Sequence, residues 1–240
     1  MASSSFRRLD AVLVVQTVEK LRHRIGERFP DSGLRGVADA LVSVAARARD
    51  TAPSLANPIW YLRLLVGFVG VLSVIAVVFA FTALRQAQLE TGLGAALQAI
   101  EAGINNFVFL GIAFVYLLTL ERKAKRGRAL KAIHELRSLV HIVDMHQLTK
   151  DPEIVLEEHT PTASSPARFR SRFELARYLD YCSEMLSLSG KVAALYVQYL
   201  DDPVVLSTVT EVETLVTGIS SKIWQKIVIL DTAGRAADRE

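Results

Sequence analysis

Hydrophobic positions recur along this chain in two different ways. Through most of it they return at three- and four-residue steps, the period of one face of an α-helix. In two places that period is lost because nearly every position is apolar: residues 64–84 (21 residues) and 104–120 (17 residues), neither with a charge or a proline. A helix rises 1.5 Å per residue, so the first run is long enough to cross a hydrocarbon core of about 30 Å, and the second lies at the short end of the spanning range. Arg63 and Arg85 bracket the first run. The pattern predicts an all-α protein, a two-helix transmembrane hairpin joined to a cytoplasmic helical bundle.

Before the hairpin, Phe6, Leu9, Leu13, Val14, Val18, Leu21 and Ile25 mark an amphipathic helix over 6–29, broken by Pro30-Asp31-Ser32-Gly33. A second helix from Leu34 carries Val37, Leu41, Val44 and Ala48 on one face, and Pro53 and Pro58 mark the linker into the first run. Arginine and acidic residues mix on the polar faces of both helices. That mixture favours packing on the C-terminal domain over lying on a membrane surface. Between the runs, Leu89, Leu93, Leu97 and Ile100 keep helical spacing, so either a short outer helix or a second membrane helix that begins well outside the bilayer is expected.

After the second run, Leu130, Ile133, Leu136, Leu139, Val140 and Val143 sustain an apolar stripe with no break before Asp151-Pro152. The second membrane helix should therefore continue as a rod, or resume after a bend at Gly127. Residues 157–166 have loop composition. A long helix is expected over 167–200 with Phe173, Leu179, Leu186, Val192, Leu195 and Tyr199 inward. Another is opened by Asp201-Asp202-Pro203 and ends near Leu230, leaving 233–240 as a polar tail. The β-branched run 204–216 keeps helical spacing at Val205, Val209, Val212 and Val216, so no strand is needed, and no repeat of solenoid period is visible. The domain order is N-terminal amphipathic helices (1–58), transmembrane hairpin (59–121) and cytoplasmic helical domain (122–240).

Charge orients this arrangement. Arg122, Lys123, Lys125, Arg126, Arg128 and Lys131 follow the second run against one acidic residue, Glu121. Arg35, Arg47, Arg49 and Arg63 precede the first run, whereas residues 85–103 hold only Arg85, Glu90 and Glu101. The positive-inside bias then gives a multi-pass protein of the cell (inner) membrane with both termini cytoplasmic, and Trp60 and Tyr61 stand where aromatic rings favour the headgroup level. Composition agrees: 51% of residues are hydrophobic and the mean hydropathy is +0.29, above that of ordinary soluble domains. The net charge of +3 and pI near 9.1 are explained by the flanks of the runs, so nucleic acid is not an expected partner. The lone Cys182 excludes an internal disulfide framework and reads as a small buried residue, in keeping with a reducing compartment. The apolar stretch 11–15, soon followed by Gln16 and Glu19, is too short for a secretory signal.

One polar cluster invites chemistry: His134-Glu135, His141, Asp144 and His146, followed by residues 147–151. On a helix His141 and Asp144 are one turn apart, and His134 lies on the same face about 10 Å away along the axis. His141, Asp144 and His134 form a candidate site for zinc or another transition metal, a further ligand coming from Glu174, Asp180 or Glu184. The wide spacing favours the competing expectation: polar-seam histidines with Arg137 and Asp144 as partners, and no cofactor. Histidines on such a seam would titrate near neutral pH and report proton load. No phosphate-binding loop, dinucleotide fingerprint or nucleophile elbow occurs, and His134-Glu135 lacks the second histidine of a zincin helix, so no enzyme is expected.

Within the runs, Gly67, Gly70 and Ser73 form a small-residue ridge, matched by Gly111 and Ala113, which predicts helix packing and a homo-oligomer. Hydrogen-bonding side chains there are few (Ser73, Thr82, Asn105, Asn106, Tyr116, Thr119), and no intramembrane charge marks an ion path. The function expected is that of a membrane-anchored helical scaffold or sensor, whose cytoplasmic bundle binds itself or a cytoplasmic protein partner while the lipid bilayer holds the hairpin. A small oligomeric channel or pore-forming effector, and a membrane-tethered metal-dependent enzyme, are the alternatives.

Overall fold

The computed structural model describes residues 8–90, 93–152, 169 and 171–237. Among these the chain is all-helical, without a strand: α1 (Ala11–Arg28), α2 (Gly33–Ser54), α3 (Trp60–Glu90), α4 (Leu93–Leu148), α5 (Arg172–Val197) and α6 (Pro203–Ala237). The chain divides into two compact units. One joins Met1–Ala56 with Arg128–Glu240, and the other is Asn57–Gly127.

In the first unit the helix starts are set by short polar side chains. Asp10 Oδ1 accepts from the backbone N–H of Val12 at 2.8 Å and Leu13 at 3.3 Å, satisfying donors that the first turn of α1 cannot pair itself. Ser171 Oγ accepts from Glu174 N–H at 3.2 Å to open α5. Asp202 Oδ1 takes the N–H groups of Val204 (3.0 Å) and Val205 (3.2 Å), with Pro203 at the first helical position of α6, where its missing N–H costs nothing.

Packing centres on α5, which is buried almost all round and lies against α1, α2 and α6. Leu179, Met185, Leu186 and Leu195 on α5 are fully buried, as are Leu21 and Ile25 of α1, Leu34 and Leu41 of α2, and Val205, Val212 and Ile223 of α6. The later part of α4 adds Ala129, Ile133, Leu136, Val140 and Val143 to the same core. Ion pairs rim it: Arg24 with Glu184, Arg47 with Glu135, and Arg137 with Glu211 at 3.3 Å. These are surface pairs and contribute little beside the core.

Several boundaries and facings differ from those the pattern predicts. Phe6 lies outside the described residues and α1 opens at Ala11; Leu13 is exposed and Val15 is buried, because the Val14–Val18–Ile25 face is centred one residue further on. Pro53 sits inside the last turn of α2 rather than in the linker. The helix tolerates it there because only one residue follows before the end. Residues 153–168, with the expected linker 157–166 and the expected start at 167, lie outside the described residues; α5 opens at Arg172 and closes at Val197. Phe173 faces solvent, not the core, with the Arg28 guanidinium 5.4 Å over its ring. The segment 233–237 is helical, the end of α6, not a tail. Gly127 lies within an unbroken α4, and that helix begins at Leu93, outside the second apolar run.

In the second unit the apolar side chains point outward. Two helices are long and apolar enough to cross a membrane, Trp60–Phe79 and the helix from Gly103. Phe79 is 73% exposed and Phe109 71%, and Phe68, Ile75, Ile112 and Val115 are exposed as well. The hydroxyls in these stretches bond to their own helix: Ser73 to Val69 O (2.8 Å), Thr82 to Phe79 O (2.9 Å) and Thr119 to Tyr116 O (2.8 Å). One carboxylate, Glu121, ties the start of α3 to α4. It accepts from Ile59 N–H at 3.2 Å, from Arg63 Nε at 3.4 Å and from Lys125 Nζ at 2.9 Å.

The burial contrast on α5 has a direct consequence. Leu186→Ala should lower the unfolding free energy by about 2–5 kcal/mol through the cavity it leaves. Phe173→Ala, predicted from periodicity to be as damaging, should cost about 0.5 kcal/mol or less. Chemical denaturation of the purified chain in detergent, followed by tryptophan fluorescence, reads both; equal losses would place Phe173 in the core.

Candidate functional site

The last turn of α4 meets the α1–α2 turn and the start of α5 around a cleft of about 620 Å³. His146 is the half-buried centre of this place. The His146 ring lies so close to Gly33 that a Cβ added there would stand 2.5 Å from Cε1 and 3.3 Å from Nε2. No glycine among the described residues has a positive φ, so glycine at 33 is favoured by the space beside the His146 ring and not by backbone conformation. On its other side His146 Nδ1 is 3.4 Å from the Tyr178 hydroxyl.

The floor is aromatic. Phe29, from the break after α1, meets Tyr178 edge-on at 5.4 Å between ring centres, and also Phe169 and Tyr181 at 6.1 Å. The Lys150 ammonium lies 5.0 Å from the Phe169 ring centre and 5.6 Å from that of Tyr178. Arg28, Asp31 and Glu174 line the rim. Burial, reinforced by the nearby Lys150 charge, lowers the pKa of His146 below its ordinary value. Burial also raises the Tyr178 phenol well above the usual range, so it stays a neutral hydroxyl.

Behind the cleft, Lys226 of α6 donates to Gln147 O at 2.8 Å and Leu148 O at 3.5 Å, supplying donors to carbonyls that the end of α4 leaves open. Gln147, itself buried, donates its side-chain amide to Asp144 at 2.7 Å. Desolvation lowers the pKa of Lys226, which Asp151 and Asp144 partly offset. The Cys182 thiol is fully buried and pushed up to about 12, too protonated to act as a nucleophile.

The expected metal residues are not assembled into a ligand set. His134 and His141 are exposed, and Asp144 takes Gln147. Asp180 pairs with Arg177 at 3.1 Å and Glu184 with Arg24. Among the described residues no group of three or more histidine, cysteine or carboxylate side chains is placed to hold an ion. The partners expected for the histidines differ too, since Arg137 bonds Glu211. Of the small-residue ridge, a Cβ added to Gly70 would stand 4.0 Å from the Phe114 ring, whereas one on Gly67 or Gly111 would find open space, and Ser73 bonds its own helix.

What periodicity missed is the ring of Gly33, Phe29, Phe169 and Tyr178 around His146. Its signal was the one histidine of the cluster that falls at a helix end, within reach of a chain break rather than along an exposed stripe. Chemically the cleft offers a neutral imidazole, a hydroxyl, both signs of charge and an aromatic floor, which suits a small polar ligand or a partner's side chain. No family model, no curated protein and no solved structure matches the chain.

The Gly33–His146 contact makes a coupled prediction. Gly33→Ala should destabilise by about 1–2 kcal/mol despite alanine's better helix propensity. In a His146→Ala background the same change should be neutral or stabilising by up to about 1 kcal/mol, because the clash is gone. Additive effects in that double-mutant cycle would remove the contact.

The pKa direction sets a pH dependence. The folded value of His146 lies below its unfolded 6.5, so its contribution to stability is complete above about 6.5 and is lost as pH falls through the folded value. Between about pH 7.5 and about pH 5 the unfolding midpoint of the native chain should fall more steeply than that of His146→Gln. Parallel curves would show that His146 is not desolvated.

Proposed function

We propose that this chain is an integral membrane protein with two spans, a membrane-anchored helical scaffold or sensor. On this reading both termini and the helical bundle lie in the cytoplasm, in a cell whose inner membrane carries the hairpin, and the bundle acts on itself or on a cytoplasmic protein partner. The observation that carries it is the contrast in burial. Core leucines of the bundle such as Leu179, Leu186 and Leu195 have no exposure, while Phe68, Phe79, Phe107, Phe109, Ile75 and Ile112 of α3 and the first part of α4 are more than half exposed. Leaving such side chains in water would cost about 1.5–3 kcal/mol each, and a bilayer removes that cost. The hydroxyls of Ser73, Thr82 and Thr119 bond carbonyls of their own helix, as exposed hydroxyls of the bundle also do, so they need no partner from lipid.

Orientation follows from the basic flank after residue 120 and the nearly uncharged connection. Self-association is part of the proposal: Gly67 and Gly111 leave open space where a second copy's helix can approach. The cleft beside His146 is where the sensing or partner-binding role would be exerted.

The test is extraction followed by topology. The chain should stay with membranes through alkaline carbonate and leave them only in detergent. Because the buried Cys182 thiol stays protonated, single cysteines can report access in the native background. Gln88→Cys should label with a membrane-impermeant maleimide in intact cells, and Arg235→Cys only after permeabilisation. The reverse pattern would invert the orientation, and carbonate release would end the two-span reading.

A further inference from the structure

We infer that a cationic collar at the Trp60/Glu121 end of the second unit is a binding site for anionic phospholipid headgroups, an inference that rests on the two-span reading. Arg63, Arg122, Lys123 and Lys125, followed by Arg126, gather there about the carboxylate of Glu121. That carboxylate is fully engaged, holding Ile59 N–H, Arg63 and Lys125. Lys125 is buried in this contact and its charge is matched. Arg63 touches Glu121 only through Nε, and its side chain remains 64% exposed, so the rest of the guanidinium faces outward. Arg122 and Lys123 are exposed.

No other acid is near enough in sequence to neutralise them. Within residues 57–127 the remaining carboxylates are Glu90 and Glu101, beside the α3–α4 connection at the far end of both helices. The side-chain directions place the charge at the edge of the apolar belt. Helical side chains lean toward the N-terminus, and Lys123 does so, its ammonium 5.5 Å from the Tyr116 ring centre two turns back. Trp60 and Tyr61, edge to face at 6.3 Å and both exposed, stand beside Arg63 at the same level.

Cations over an aromatic rim, directly bordering exposed apolar surface, match a phosphodiester whose acyl chains cover that surface. A headgroup with its own cation gains less, because the choline or ethanolamine already balances the phosphate. A net-negative headgroup such as phosphatidylglycerol is therefore the preferred occupant. A polynucleotide fits the charge but would leave the adjoining apolar belt in water.

The experiment places the full chain in nanodiscs of phosphatidylcholine and phosphatidylglycerol in equal amounts and measures by native mass spectrometry the lipids that stay bound. Phosphatidylglycerol should be enriched over phosphatidylcholine. The Arg122→Gln/Lys123→Gln double variant should lose that enrichment by about fivefold per charge removed. The charge-keeping Arg122→Lys/Lys123→Arg variant should retain it, which separates charge from a merely altered helix. Equal retention of both lipids by the native chain, or unchanged enrichment in the neutral variant, would overturn the inference. A chain that fails to enter nanodiscs at all would overturn the two-span reading first and the collar with it.

Discussion

Apolar surface must be kept from water, and this protein meets that requirement differently in its two units. In the bundle, five helical segments have enough mutual surface to cover one another, and α5 is covered almost all round. Two helices alone cannot do this. Each can hide one side against its neighbour, and the rest of α3 and of the first part of α4 faces outward, apolar at nearly every position. The other features follow from that split. Hydroxyls in the outward stretches turn back to their own carbonyls, the two apolar runs 64–84 and 104–120 carry no charge, and Arg24–Glu184 and Arg47–Glu135 pairs rim the bundle.

Within the bundle the cleft shows how a local preference gives way to a close approach. At the first position of α2 alanine would serve the helix better than glycine by about 1 kcal/mol. Gly33 stands there because the His146 imidazole occupies the space a methyl would need. The ring is held in turn by Tyr178, which is locked edge-on to Phe29 and capped by the Lys150 ammonium. A titratable ring placed half out of water is a source of instability unless it stays neutral, and its depressed pKa keeps it so. Helix ends, both charge signs and a proton-binding group converge here.

Much of the fold was legible because period and length carry it. Val37, Leu41, Val44 and Ala48, then Ile133, Leu136, Val140 and Val143, then Val205, Val209, Val212 and Val216 all fall where a 3.6-residue period puts them, on the buried face. Helix ends were less legible. A polar, alanine-containing segment such as 233–237 can continue a helix as readily as end one, and Pro53 in the last turn costs one helical hydrogen bond while leaving the turns before it intact. The facing of Phe173 failed for another reason: in the first turn of α5 it is Leu175 that enters the core, and Arg28 offers the Phe173 ring a partner outside it. The candidate site was legible only in part. His146 was only one member of its cluster, outside the expected ligand set of His141, Asp144 and His134, and the residues that give it its environment lie 113 positions earlier at Gly33 and 32 later at Tyr178, with no local pattern to link them. The exposed His134 and His141 show that shared helical phase alone does not make a site, because a facing element must supply the remaining ligands.

The basic flank of the second run illustrates why charge counts need geometry. In sequence, Arg122, Lys123 and Lys125 look equivalent, three contributions to one orientation signal. In three dimensions they divide. Lys125 is one helical turn from Glu121 and sinks into contact with it, where it holds the beginning of α3 against α4 through a carboxylate that also takes Ile59 N–H. Arg122 and Lys123 are rotated away from that contact and keep their charge for whatever lies outside. A carboxylate that already accepts three donors has little left to offer a fourth, so the excess positive potential is a consequence of the clasp itself. Glu121 and Lys125 thus hold the start of α3 to α4, while Arg122 and Lys123, less than one helical turn away, leave a positive surface.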